Sequence, residues 1–161
     1  MKITILGDVN GMPEPQRSAL IKAMERTGGN TGLKLNIALN YGGRAELTRA
    51  ARLLAQAVKD GEIEPRDIDE AAFASKLYTA GLPDVDLLIR TSGEMRTSNF
   101  LPWQLAYAEM VFDDCYWPDF DRARYMKCLD IYAGRDRRFG GVKGQAPGGQ
   151  APETTPKEGA P

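Results

Sequence analysis

Four short runs of branched and apolar residues, separated mostly by segments of helical spacing, constrain most tightly what this chain folds into. The clearest is Val85-Asp86-Leu87-Leu88-Ile89. It is too short for a stable helix and branched enough to read as a buried parallel strand. Lys2–Leu6 (KITIL), Leu33–Tyr41 (LKLNIALNY) and Ala106–Phe112 (AYAEMVF) are the others. The order strand, helix, strand, helix, helix, strand, loop, strand, helix predicts an α/β architecture. We expect an open, mainly parallel sheet of about four strands, flanked by helices and joined by right-handed crossovers.

The intervening segments carry their own start and stop signals. Asp8-Val9-Asn10-Gly11 reads as the turn leaving the first strand, and a helix is expected from Pro13 or Glu14 with Leu20, Ile21 and Met24 inward. Gly42-Gly43 ends the second strand, as punctuation or as a place of close backbone approach. A helix over Arg44–Lys59 follows, with Leu47, Ala50, Ala51, Leu54 and Val58 on one face and Gly61 as its stop. Asp67–Leu77 is expected to be another helix, with Ile68, Ala71, Ala72 and Ala74 inward. A last helix over Asp121–Arg135 would bury Tyr125, Cys128, Leu129 and Tyr132.

The third strand runs straight into polar chemistry. Arg90 stands at its C-terminal end, followed by Thr91-Ser92-Gly93, Glu94, Arg96, Thr97 and Ser98. Asn99–Gln104 reads as a short helix with Ser98 as its N-cap. Ligands of open α/β sheets bind in the crevice outside the carboxyl ends of the strands. Two guanidiniums, a hydroxyl and a helix start in that place suit a diphosphate. Arg90, Glu94 and Arg96 equally form an ordinary surface ion network, which would be worth little.

Glu109 is the anomaly of the fourth strand, a carboxylate among apolar neighbours. Such a group is costly unless it is paired or bound to a cation. Its partner is either Arg90 or Arg96, or a magnesium ion beside a diphosphate.

Composition narrows the function classes. The net charge of −1 gives no bulk electrostatic case for nucleic acid. No apolar run approaches a membrane span, and no signal-peptide pattern opens the sequence, so a cytoplasmic protein is expected. There is no histidine, which excludes a His-based triad or proton relay. Cys115 and Cys128 read as small buried residues. Residues 142–161 are dense in Gly, Pro, Gln and Thr and are expected to be a disordered tail after a domain over 1–141.

Leu88–Gln104, together with Tyr41-Gly42-Gly43-Arg44, Trp117-Pro118-Asp119-Phe120 and Arg137-Arg138-Phe139-Gly140-Gly141, closely resembles the cis-prenyltransferases of the bacterial undecaprenyl diphosphate synthase type. The resemblance runs from about Ile3 to Gly141 and covers the C-terminal portion of that family's usual chain. It implies a truncated undecaprenyl diphosphate synthase-like fold. It also implies condensation of isopentenyl diphosphate with an allylic diphosphate to make a polyprenyl diphosphate.

Carried over by resemblance, Arg90, Arg96, Thr97 and Ser98 bind the diphosphate of isopentenyl diphosphate, Glu94 orients the arginines, and Glu109 contacts Mg2+. A homodimer or a partner prenyltransferase chain is implied, with peripheral membrane contact for product release. The family's catalytic aspartate belongs to the N-terminal half, which has no counterpart here, so autonomous activity is not expected. Two further readings stay open: a non-catalytic partner subunit of a prenyltransferase, and a residual diphosphate-binding α/β domain.

Overall fold

A computed structural model describes residues 1–135. The tail 142–161 and the basic end 137–141 lie outside the described residues. The order is β1 (Lys2–Leu6), α1 (Gln16–Thr27), β2 (Lys34–Ala38), α2 (Gly43–Lys59), a 3-10 turn (Pro65–Asp67), α3 (Glu70–Ala74), β3 (Leu87–Arg90), β4 (Glu109–Phe112), a second 3-10 turn (Trp117–Asp119) and α4 (Arg122–Ala133). All four expected strands form, and every pairing is parallel, as an α/β chain with helical crossovers requires. They are hydrogen-bonded as two pairs, β1 with β2 and β3 with β4. Lys2 lies opposite Lys34 in the first pair and Leu87 opposite Glu109 in the second.

β1 and α1 are tied by Thr27, whose Oγ1 accepts from the Ile3 N–H at 3.0 Å and donates to the Ala23 carbonyl at 2.8 Å. Asp8–Gly11 is a turn, as expected. Its Asp8 Oδ1 accepts from the Gly11 N–H at 3.1 Å.

The centre of the molecule lies under α2, and its inward face differs from the expected one. Gly43, Glu46, Ala50, Leu54 and Ala57 are the buried positions. Ala51 is exposed, and Leu47 and Val58 are half-buried. The stripe is therefore turned by one position, and a glutamate occupies the place that hydrophobic spacing gives to leucine.

Glu46 is only 1% exposed. A buried carboxylate is tolerated where donors surround it. Here the Tyr41 hydroxyl donates to Oε2 at 2.6 Å, the Tyr78 N–H to Oε1 at 2.7 Å, and Gln104 Nε2 to Oε2 at 3.2 Å. Burial, then the hydrogen bond to Glu46, push the Tyr41 hydroxyl well above the ordinary phenol range. Gln104 Nε2 also donates to Thr79 Oγ1 at 3.0 Å. Around this hub Tyr41 meets Tyr78 and Phe100 edge-on, with ring centroids 6.3 and 5.9 Å apart.

Four other expectations change, the first in α1, where Ile21, expected inward, is 36% exposed. The segment expected as one helix over 67–77 is a 3-10 turn followed by the five-residue α3. Asp69 divides them: its backbone is extended, and its side chain caps α3 by accepting from the Ala72 N–H at 2.7 Å. Ile68 and Ala71 consequently face solvent. In α4, Cys128 is buried and Leu129 and Tyr132 are half-buried, while Tyr125 is 46% exposed. The helix expected after Ser98 does not form. Ser98, Asn99 and Leu101 have φ of 49°, 65° and 46°, and left-handed residues interrupt a right-handed helix.

The 98–107 segment instead winds in turns against α2. The Asn99 carbonyl accepts from the Gly43 N–H at 2.8 Å, and its Oδ1 accepts from the Arg44 N–H at 2.8 Å. These are orphan donors of the first turn of α2, satisfied by a residue far along the chain. Gly43 is required because a Cβ there would stand 2.1 Å from Pro102 Cδ.

The hub predicts its own test. Glu46→Ala strands the Tyr78 N–H and the Gln104 amide and should cost about 3 kcal/mol in urea unfolding. Glu46→Gln, which keeps one acceptor oxygen, should cost less. A loss below about 1 kcal/mol for Glu46→Ala would show that water replaces the carboxylate without penalty.

Candidate functional site: the arginine loop at the end of β3

Arg90 closes β3, and the chain reverses immediately after it. Ser92 and Gly93 both take left-handed backbone, with φ of 72° and 67°. The turn is stitched to the end of β4. Asp113 N–H donates to the Arg90 carbonyl at 2.8 Å, Gly93 N–H to the Asp113 carbonyl at 2.9 Å, and Ser92 N–H to the Cys115 carbonyl at 2.7 Å. The loop is thus a fixed extension of the β3–β4 ladder.

Its side chains converge. Arg90 Nη1 donates to Ser98 Oγ at 3.2 Å, and its Nη2 pairs with Glu94 Oε2. Arg96 Nη2 pairs with the other oxygen of the same carboxylate, Glu94 Oε1. Glu94 therefore pairs with both guanidiniums. Two cations against one carboxylate leave a net charge of +1. Arg96 is 65% exposed on its side chain, so its pair with Glu94 is weak and exchangeable.

Beside this cluster lies an open cleft of about 440 Å³, lined by Leu88, Ile89, Arg90, Thr91, Ser92, Glu94, Thr97 and Phe100. One wall is apolar strand and the other is polar loop. Thr97 lines it and fixes the following turn, its carbonyl accepting from the Phe100 N–H at 2.9 Å. The helix N-terminus expected at Ser98 is absent, so the cluster presents side-chain donors and no helix dipole.

The structure brings Arg90, Glu94, Arg96, Thr97 and Ser98 together and leaves Glu109 apart. In the β3–β4 register Glu109 lies opposite Leu87, three residues from Arg90 and roughly 10 Å away at the usual strand rise. Its ion pair is with Arg135, at 2.8 Å, and not with Arg90 or Arg96. The same Arg135 nitrogen donates to the Met110 carbonyl at 2.9 Å.

Magnesium needs a near-octahedral shell of oxygens. Among the described residues no three His, Cys, Asp or Glu side chains cluster to hold a metal. Glu109, the carboxylate expected to meet the ion, is held by Arg135, and the described residues do not fit such a shell.

Sequence reasoning missed Asp113 and Arg124. Asp113 Oδ1 accepts from Arg124 Nη1 at 2.7 Å and from the Cys115 N–H at 2.9 Å. Hydrogen bonds from Cys115, with Arg124 beside them, hold its carboxyl below the usual range. The available signal was an acidic pair directly after an apolar strand, which is a common strand ending.

With the geometry in hand, comparison with known proteins is informative. The prenyltransferase family model for undecaprenyl diphosphate synthase matches residues 1–140. An isoprenyl transferase of Geobacillus kaustophilus is 50% identical over 142 residues, covering 88% of this chain and 55% of that protein. The ditrans,polycis-undecaprenyl-diphosphate synthase ((2E,6E)-farnesyl-diphosphate specific) of Micrococcus luteus is 48% identical, with 88% and 57% covered. Among solved structures, lavandulyl diphosphate synthase from Lavandula x intermedia, in complex with dimethylallyl diphosphate, superposes with a TM-score of 0.84 at 39% identity. That match covers 86% of this chain and 60% of that one. The chain spans a little over half the length of these curated relatives. A match over 140 of 161 residues, at about half identity to curated relatives, places the chain in the cis-prenyltransferase family of the undecaprenyl diphosphate synthase type.

Proposed function

We propose that this chain serves cis-prenyl transfer, in which isopentenyl diphosphate adds to an allylic diphosphate to build a polyprenyl diphosphate. Its own part is to hold the diphosphate of isopentenyl diphosphate at the arginine loop. The observation that carries this reading is the meeting of Arg90 and Arg96 on the single carboxylate of Glu94, with Ser98 Oγ on Arg90, beside the cleft. A diphosphate offers several oxygens to the same two planar donors and outcompetes one carboxylate. Relatives whose names specify farnesyl diphosphate, or that hold dimethylallyl diphosphate, support this ligand class.

In this reading Arg90 and Arg96 grip the anion and Ser98 adds a hydroxyl donor. Thr97 shapes the cleft wall, and Glu94 pre-aims the guanidiniums before the ligand arrives. The apolar wall of Leu88, Ile89 and Phe100 suits the isopentenyl carbons. Were magnesium to bind, Glu109 would reach it only in place of its pair with Arg135. A second copy of the chain, or a partner prenyltransferase chain, completes the assembly, with product released at a membrane surface in the cytoplasm. Among the described residues no helix is long and apolar enough to cross a membrane.

The competing reading, a diphosphate-binding α/β domain without prenyl transfer, shares the same cleft, so two measurements separate them. Pyrophosphate should bind the wild type, and Arg90→Ala should weaken it by about 1.5–3 kcal/mol, the worth of charged hydrogen bonds. Equal affinity in the two would remove the arginine loop as the site. Labelled isopentenyl diphosphate incubated with an allylic diphosphate and Mg2+ then reports transfer. Incorporation that depends on Arg90 supports the enzyme. Binding without incorporation, even when a full-length family member inactivated in its own arginine loop is added, favours the binding domain.

A further inference from the structure

The arginine loop has no helix or strand of its own to stiffen it, yet the two left-handed residues of its first turn, Ser92 and Gly93, are tethered. The tether points are the Asp113 and Cys115 carbonyls, which accept from Gly93 and Ser92 at 2.9 and 2.7 Å. What fixes those carbonyls is the Asp113 side chain, only 9% exposed. One oxygen, Oδ1, accepts both from the Cys115 N–H, closing the 113–115 turn, and from Arg124 Nη1. Arg124 is itself anchored, because its N–H is capped by Asp121 Oδ1 at 2.9 Å in the first turn of α4. Asp114 meets the same guanidinium at 3.3 Å but is 93% exposed and adds little.

We propose that the Asp113–Arg124 ion pair is a positioning device for the diphosphate loop, locking the 113–115 turn to α4 so that Ser92 and Gly93 hold Arg90 in its aim. This inference rests on the arginine loop being the anion site. Neither residue lines the cleft, so both act through the backbone and not by touching the ligand. The physical reason is entropic. Ser92, a non-glycine residue in left-handed backbone, is costly to hold, and a ligand that must first order its receptor binds more weakly. Pre-ordering by a buried carboxylate removes that cost before the diphosphate arrives.

The test uses the full chain, with residue-resolved amide exchange and pyrophosphate titration. Arg124→Gln should speed exchange at the Ser92 and Gly93 amides while the core amides of α2, such as Leu54, stay protected. It should weaken pyrophosphate roughly threefold to tenfold, the cost of ordering one or two groups on binding. Arg124→Lys should recover most of the affinity. Should Arg124→Gln fail to fold, Asp113→Asn carries the same expectation, since it keeps Oδ1 as acceptor for Cys115 and loses only the charge. Wild-type affinity in the Gln or Asn variant, or undisturbed Ser92 and Gly93 amides, would overturn the positioning role and leave the anion site standing. Absence of pyrophosphate binding to the wild type, with the loop amides still responding to Arg124→Gln, would remove the anion site and the proposal together.

Discussion

The structure depends on one buried carboxylate. Glu46 takes the place of a core aliphatic on α2 and gathers donors from three separate stretches of chain: the end of the first strand pair at Tyr41, the turn after α3 at Tyr78, and the coil before β4 at Gln104. A charge in that position without partners would be prohibitive. With them it becomes a fixed point that local hydrophobic contacts alone would not specify. Among the described residues Gln104 Oε1 is buried without a partner, so its hydrogen bonds there are made by its nitrogen alone. Its orientation is therefore set by Glu46 and Thr79.

From that point the geometry of the site follows. Anchoring Gln104 draws the 98–107 coil onto α2, where Asn99 caps the helix and Pro102 presses on Gly43. The coil begins at Ser98, which meets Arg90 at the end of the β3–β4 ladder. The site is thus the junction of two independently fixed parts, a coil fixed by Glu46 and a turn fixed by Asp113. Glu94 bridges the two arginines there through partly exposed pairs that are individually worth little.

Much of this was legible in the sequence. Lys2–Leu6 is a strand over those very residues, because a short run of consecutive branched side chains leaves little choice. Arg90, Glu94, Arg96 and Ser98 form one cluster because strand termination and sequence proximity are local facts. The phase of α2 was not legible, since Glu46 becomes an acceptable core residue only through donors 32 and 58 positions away. The coil after Ser98 was not legible either. Ser98 offered a helix cap, but Pro102 and the weak helix formers around it oppose one, and the left-handed turns at Ser98, Asn99 and Leu101 accompany the docking of Asn99 on α2. Glu109 was recognised as needing a cation, but Arg135, its partner across 26 positions, carries no local signal.

The central claim is that Arg90 and Arg96 exchange a shared carboxylate for a diphosphate. A crystal structure with isopentenyl diphosphate bound tests it most directly. The account predicts the diphosphate between the two guanidiniums, within hydrogen-bond distance of Ser98 Oγ, with the Glu94 carboxylate displaced from at least one arginine and the isopentenyl carbons against Ile89 and Phe100. A diphosphate seated elsewhere, with the Arg90–Glu94–Arg96 pairs intact, would contradict it.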